Sequence, residues 1–115
     1  MMMIVYGIPN CDTVKKARAW LEGRGTAYTF HDFRKQGVPE PRLDAWLQSA
    51  GWQTLLNRNG TTWHKLDDAT RAAVGGAPAA RALMLAQPSV IKRPVVEWPD
   101  GRITVGFDET AWSAR

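Results

Sequence analysis

The spacing of apolar and polar positions changes several times along this chain, and each change predicts an element. Residues 3–7 (MIVYG) form a short apolar run with β-branched and aromatic members, which predicts a buried strand. Pro9 and Asn10 break it. From residue 11 to about residue 24 the period lengthens. Val14, Ala17 and Leu21 fall on one helical face, with Trp20 at its edge and Lys15, Lys16 and Arg18 mostly off it. Gly23 and Gly25 supply a stop. Residues 26–33 (TAYTFHDF) return to alternation, Tyr28 and Phe30 against Thr29 and His31, and predict a second strand. Strand, helix and strand of this length make a βαβ unit with parallel strands and a right-handed crossover.

The middle of the chain is helical in pattern. Residues 39–50 carry Leu43, Trp46 and Leu47 at helical spacing after a Pro-Glu-Pro start. Leu55 and Leu56 precede NRNGTTWHKL, which reads as a loop. Residues 67–74 and 78–86 predict two further helices parted by Gly75 and Gly76. The end returns to strands: 95–98 and 102–106 flank Pro99-Asp100-Gly101, a hairpin signal. Asp108 is placed to cap a last short helix with Ala111 and Trp112 on its buried side. The order β-α-β, helical block, β-β-α predicts an α/β fold. It is a thioredoxin-like mixed four-stranded sheet in one domain, residues 1–115, with a helical insertion at about 38–87. Most of the six tryptophans fall on helix faces or strands and read as core.

Composition narrows the classes. A chain of 115 residues is long enough for a core without disulfides or a structural metal. One cysteine makes no internal disulfide, so a reducing, cytoplasmic setting is expected. No apolar run approaches the roughly 20 residues of a bilayer span, so no membrane role is expected. The net charge of +4 suits an anionic ligand, but basic residues alternate with acidic ones and no basic stripe forms, so nucleic acid is not an expected partner. His31 and His64 lack metal-ligand neighbours at useful spacing, and no metal site is expected. His31, beside Asp32, reads as a surface or interface residue.

Cys11 is the candidate for chemistry. On one reading it is a small buried hydrophobe, as free cysteines often are. On the other, its place between the first strand and the first helix makes it reactive. Asn10 is a good N-cap, which would put Cys11 in the first helical turn, facing unpaired amides and the positive end of the helix dipole. A free thiol near pKa 8.5 is only roughly 3% thiolate at pH 7. Lowering it to about 6.5 takes roughly 2.7 kcal/mol. A helix end supplies about 0.3–1 kcal/mol, up to about 2 when partly buried. Asp12 is expected to oppose the shift. A further cation is therefore expected nearby. Arg93, in the stretch Lys92-Arg93-Pro94, enters the third strand beside the end of the first. It reads either as that cation or as a solvated strand-entry charge. Pro94 forces Arg93 out of helical geometry, and a cis bond there fits the fold. Position i+3 from Cys11 is Val14, so any resolving thiol is external. Glutathione carries carboxylates that suit Arg93, Lys15 and Lys16, although the lysines also read as a solvated helix face.

YGIPNCDTVKKARAWLEGRG, LLNRNGTTWHKL and IKRPVV together, in this order over nearly the whole chain, resemble the arsenate reductase-like (ArsC/Spx) family and its YffB-like branch. The resemblance implies a thioredoxin-like fold with a helical insertion. It also implies a glutathione-dependent reductase in which glutathione is a co-substrate and no cofactor is bound, with glutaredoxin a further partner. Cys11 matches the family nucleophile, Arg93 the oxyanion-binding arginine and Pro94 the proline after it. Asn10, Asp12, Thr13 and Lys15 would line the glutathione or oxyanion site. The loop 57–66, which by itself reads as either a pocket border or a helix-entry loop, would contribute Arg58, Thr62 and Trp63. Arsenate reductases of this family carry further arginines where this chain has Asn57, with Arg58 adjacent, and Gly106. Efficient arsenate reduction is therefore not expected. The Spx branch implies the other class of function, a regulator that binds the C-terminal domain of the RNA polymerase α-subunit. Its redox-sensing members often carry C-x-x-C, which Val14 removes here.

Overall fold

The computed structural model of the chain describes residues 2–115. Two compact units divide it: Met1–Gln36 with Arg93–Arg115, and Gly37–Lys92.

The first unit holds a four-stranded sheet in the order β2-β1-β3-β4. β1 (Ile4–Gly7) runs parallel to β2 (Thr29–Asp32), and Tyr6 faces His31 across the pair. β3 (Val95–Glu97) is antiparallel to β1, with Tyr6 opposite Val95, and β4 (Ile103–Val105) is antiparallel to β3. This register brings the residues just after β1 and those just before β3 to the same end of the sheet. Helix α1 (Asp12–Gly23) joins β1 to β2. It ends in a Schellman turn, in which Gly25 N–H donates to the Glu22 carbonyl at 3.1 Å and Thr26 N–H to that of Leu21 at 3.0 Å. This turn ties Thr26 to the helix, so β2 starts later than the alternation of residues 26–33 predicts. It also ends earlier: the Asp32 carboxylate accepts the Arg34 N–H at 2.8 Å and opens a short helix, α2 (Phe33–Gln36).

Val14, Ala17 and Leu21 are buried, as the helical spacing requires. Ala17 and Leu21 join Met3, Val5, Val96, Trp98 and Trp112 in the core. Each large apolar side chain so buried contributes about 1.5–3 kcal/mol. Trp112 stands on the last helix, α8 (Glu109–Ser113), whose N-cap Asp108 accepts the Ala111 N–H at 3.2 Å. Trp98 and Phe107 meet the Trp112 ring edge-on at 5.1 and 4.7 Å. Ala111 is exposed, against expectation, because α8 is short and presents Trp112 alone to the core.

The second unit is helical: α3 (Glu40–Ala50), α4 (Trp52–Leu55), α5 (Thr61–Lys65), α6 (Asp68–Ala72), α7 (Ala77–Ala86) and a 3₁₀ turn, Pro88–Val90. Its buried residues include Leu43, Trp46, Leu55, Leu83, Met84 and Ile91. Arg81 on α7 bonds Asp44 and Glu40 on α3 at 2.6 and 3.1 Å. Leu56 bridges Ile91. The stretch read as a loop, 57–66, contains α5; its apolar content is too low for periodicity to announce it. Of the six tryptophans, Trp46, Trp98 and Trp112 are buried and Trp20, Trp52 and Trp63 half-buried.

Candidate active site

The sulfur's setting begins with backbone. Cys11 is extended (φ −141°, ψ 123°) and its carbonyl accepts the Lys15 N–H at 2.9 Å. Those are the marks of an N-cap. Cys11 therefore occupies the cap itself, and the expectation that Asn10 caps the helix is corrected. Asn10 lies outside the helix, exposed, and Asp12 is the first helical residue. The shift by one residue matters. A cap side chain points back at the amides of the next turn, whereas a first-turn side chain points away from them.

Cys11 is half-buried and makes no capping hydrogen bond of ordinary geometry from its side chain. The amides of that turn nevertheless lie near enough to act on its ionisation. Burial pushes the Cys11 thiol up. The Val14 amide, the Arg93 guanidinium through both hydrogen bond and charge, and the Thr13 amide pull it down, and the net direction is down. A helix end and one cation thus act together, as the energy comparison required.

Arg93 and Pro94 precede β3, and the bond between them is cis. Pro94 is buried and its carbonyl accepts the Gly106 N–H at 2.8 Å. Gly7, at the end of β1, is also buried. A Cβ built on Gly7 would stand 2.9 Å from Val14 Cγ2 and 3.9 Å from Arg93 Cβ. The structure therefore groups Cys11 with Thr13, Val14, Arg93, Pro94 and Gly7. Asp12 and Lys15 are exposed on the first turn of α1. Val14 and Gly7 were missed as site residues. Val14 acts through its backbone, which carries no side-chain signature beyond standing three residues after a cap. Gly7 offered a signal, a glycine closing an apolar strand four residues before the thiol.

In the second unit, Asn57 and its neighbours bond among themselves. The Asn57 carboxamide oxygen accepts the Asn59 N–H at 3.1 Å, and Asn57 N–H donates to the Val90 carbonyl at 2.8 Å. Arg58 lies over the Trp52 ring at 5.4 Å and lines a polar cleft with Gln53, Asn59 and Lys92. Thr62 and Trp63, both half-buried, belong to α5. Gly106, in the first unit, has φ +86° and is buried. That backbone suits glycine and strains any residue with a Cβ. His31 packs its ring against Tyr6 at 5.0 Å and Phe33 at 6.0 Å. Among the described residues no helix is long and apolar enough to cross a membrane.

A mixed sheet with a single lowered cysteine at the end of its first strand defines a thioredoxin-like domain built around one thiol. The ArsC family model matches residues 6–115, and the chain belongs to that family. It is similar to a YffB protein of solved structure, 50% identical over 98% of this chain and 97% of that one, with a TM-score of 0.91. It is also similar to an arsenate reductase (ArsC) related protein from Brucella melitensis, 52% identical over 99% and 93% of the two chains, with a TM-score of 0.78. An uncharacterized protein of Haemophilus influenzae is 36% identical over 98% of this chain and 97% of its own length. More distant is the global transcriptional regulator Spx 1 of Oceanobacillus iheyensis, 24% identical over 94% of this chain and 82% of its own.

Proposed function

We propose that the chain is a glutathione-dependent thiol–disulfide oxidoreductase in which Cys11 is the nucleophile. The observation that carries this reading is the lowered Cys11 thiol beside Arg93. The thiolate is the attacking form, and a lowered pKa raises its fraction at neutral pH. With glutathionylated thiols as substrate, the Cys11 thiolate attacks the glutathione sulfur. The new sulfur–sulfur bond forms as the old one breaks, and the freed substrate thiolate takes a proton from water. A second glutathione thiolate then attacks the glutathione sulfur of the mixed disulfide. Cys11 leaves as thiolate and glutathione disulfide is released. One substrate thiol is regenerated and one glutathione is oxidised. The chain's single cysteine means that the resolving thiol comes from outside, from glutathione or from glutaredoxin. Arg93 and Lys15 meet the carboxylates of glutathione, and Asn10, Asp12 and Thr13 border it.

The test is incubation with glutathione disulfide followed by mass analysis of the intact chain and its peptides. An adduct of one glutathione on the peptide containing Cys11 is expected. An unmodified chain after exposure to excess glutathione disulfide near neutral pH would sink the proposal. Arsenate is the weaker substrate in this reading. Reducing it calls for electrostatic stabilisation of a multiply charged oxyanion, and one preorganised donor is commonly worth about 10²–10³ in rate. Asn57 and Gly106 supply no charge. Efficient arsenate turnover with glutathione and glutaredoxin supplied would overturn the charge-count part of the reading.

A second reading is favoured by the Spx relative, a global transcriptional regulator: this chain would then be a regulator that binds the C-terminal domain of the RNA polymerase α-subunit. Retention of that domain on the immobilised chain, with no glutathione adduct formed, would replace the first reading with this one.

A further inference from the structure

We infer that Gly7 is a positioning residue for Cys11: with no side chain at the end of β1, the first turn of α1 and the Cβ of Arg93 both close against the strand beside the sulfur. The inference rests on the reading of Cys11 as the reacting group.

The distances set the direction. A Cβ on Gly7 would meet Val14 Cγ2 at 2.9 Å and Cγ1 at 3.6 Å. Contacts under 3.0 Å are not tolerated, so something must move. Val14 is fully buried and β-branched, with little rotamer freedom in a helix. Its side chain has nowhere to swing in a close-packed interior, so the first turn of α1 must shift as a body. That turn carries the Val14 and Thr13 amides that act on the sulfur. On the other side, Arg93 Cβ would stand 3.9 Å from the new methyl, an ordinary contact. The helix turn therefore moves and Arg93 stays, and the groups that face Cys11 lose their common spacing. Arg93 is the charged group among those that move the Cys11 thiol; Asp12 and Lys15, exposed on the same turn, are not among them. Gly7 touches no reacting atom and acts through the spacing of its neighbours.

The experiment is the pH dependence of Cys11 alkylation by iodoacetamide in the wild type, Gly7→Ala, Val14→Ala and Gly7→Ala/Val14→Ala, each checked for folding by circular dichroism. Gly7→Ala is expected to raise the midpoint by about one pH unit, roughly tenfold less thiolate well below it. The double variant, in which the methyl meets no Val14 side chain, is expected to match Val14→Ala. A wild-type profile in folded Gly7→Ala overturns the inference. So does a double variant whose midpoint lies well above that of Val14→Ala, and this comparison decides the matter if Gly7→Ala does not fold. Failure of the nucleophile reading looks different: the wild type itself would then alkylate like a free thiol.

Discussion

At the junction of β1 and α1, two backbone amides and a guanidinium act on one thiol. In the 57–66 stretch of the second unit, polar groups bond to each other and to neighbouring residues of that unit instead. Asn57 caps Asn59, its amide bonds Val90, and Arg71 donates to the His64 carbonyl at 2.9 Å. Both regions are polar, glycine-bearing and placed where a helix begins. The first leaves donors to act on a group that becomes an anion. In the second, the Asn57 and Asn59 amides have protein acceptors close by, and Arg58 rests on an aromatic ring. The number of polar residues does not tell the two apart. What tells them apart is whether the donors already have acceptors.

The comparison breaks most completely if the thiol is removed. Cys11→Ser should abolish the glutathione adduct, because the adduct is a mixed disulfide and serine has no sulfur to form it. Intact mass after glutathione disulfide treatment checks it. The same variant should alter the dependence of stability on pH. The folded thiol titrates below its unfolded value, so ionisation favours the folded state. That contribution is fully present above the unfolded pKa, near 8.5, and is lost as pH falls through the folded pKa. Denaturant midpoints measured across that range should rise with pH in the wild type and less steeply in Cys11→Ser.

Removing the cation is the next largest change. Arg93→Ala should raise the Cys11 pKa and slow alkylation at neutral pH, while the amides of Val14 and Thr13 keep part of the shift. Arg93→Lys should restore it only partly, since an ammonium lacks the planar fork of donors. The alkylation profile reads both variants. A wild-type profile in Arg93→Ala would leave the helix end as the whole cause and make Arg93 a solvated strand-entry charge.

How much of this was readable in the sequence depends on how local each signal is. The βαβ unit, the hairpin at Asp100 and the Asp108 cap follow from neighbours in the chain, and the structure has all three. The choice of cap between Asn10 and Cys11 did not follow. Asparagine is the better cap by propensity, and only the path of the chain leaving β1 makes Cys11 the extended residue. Asp32 carried a cap signal that the alternation of its strand concealed. Helices α4 and α5 are too short to show a period. The closeness of Gly7 to Val14 is a matter of tertiary distance, invisible in a one-dimensional pattern.

A smaller effect is expected from restoring charge where arsenate reductases carry arginine. Gly106→Arg adds a cation but forces a Cβ into φ +86° at a buried position. The strain should cost about 1–3 kcal/mol, seen as a lower unfolding midpoint. A variant as stable as the wild type would show that the turn after β4 relaxes freely. The lack of charge there would then have no backbone cause.

The smallest effect sharpens the contrast between two glycines. A Cβ on Gly60 would stand 2.6 Å from Asn57 Nδ2, closer than the contact that Gly7 would make with Val14. The distances alone rank Gly60→Ala as the worse substitution. The neighbours reverse that order. Asn57 Nδ2 is the end of a half-exposed side chain that can rotate away, and the loss is its bond to the Asn59 N–H. One such bond is worth about 0.5–1.5 kcal/mol, and Asn59, being exposed, finds water instead. Val14 is fully buried and has no such exit. Gly60→Ala should therefore lower the unfolding midpoint slightly and leave both the alkylation profile of Cys11 and its glutathione adduct as in the wild type. A shifted alkylation profile in this variant would show that the 57–66 stretch acts on the thiol after all, and the division between a region that holds an anion and one that satisfies itself would fail.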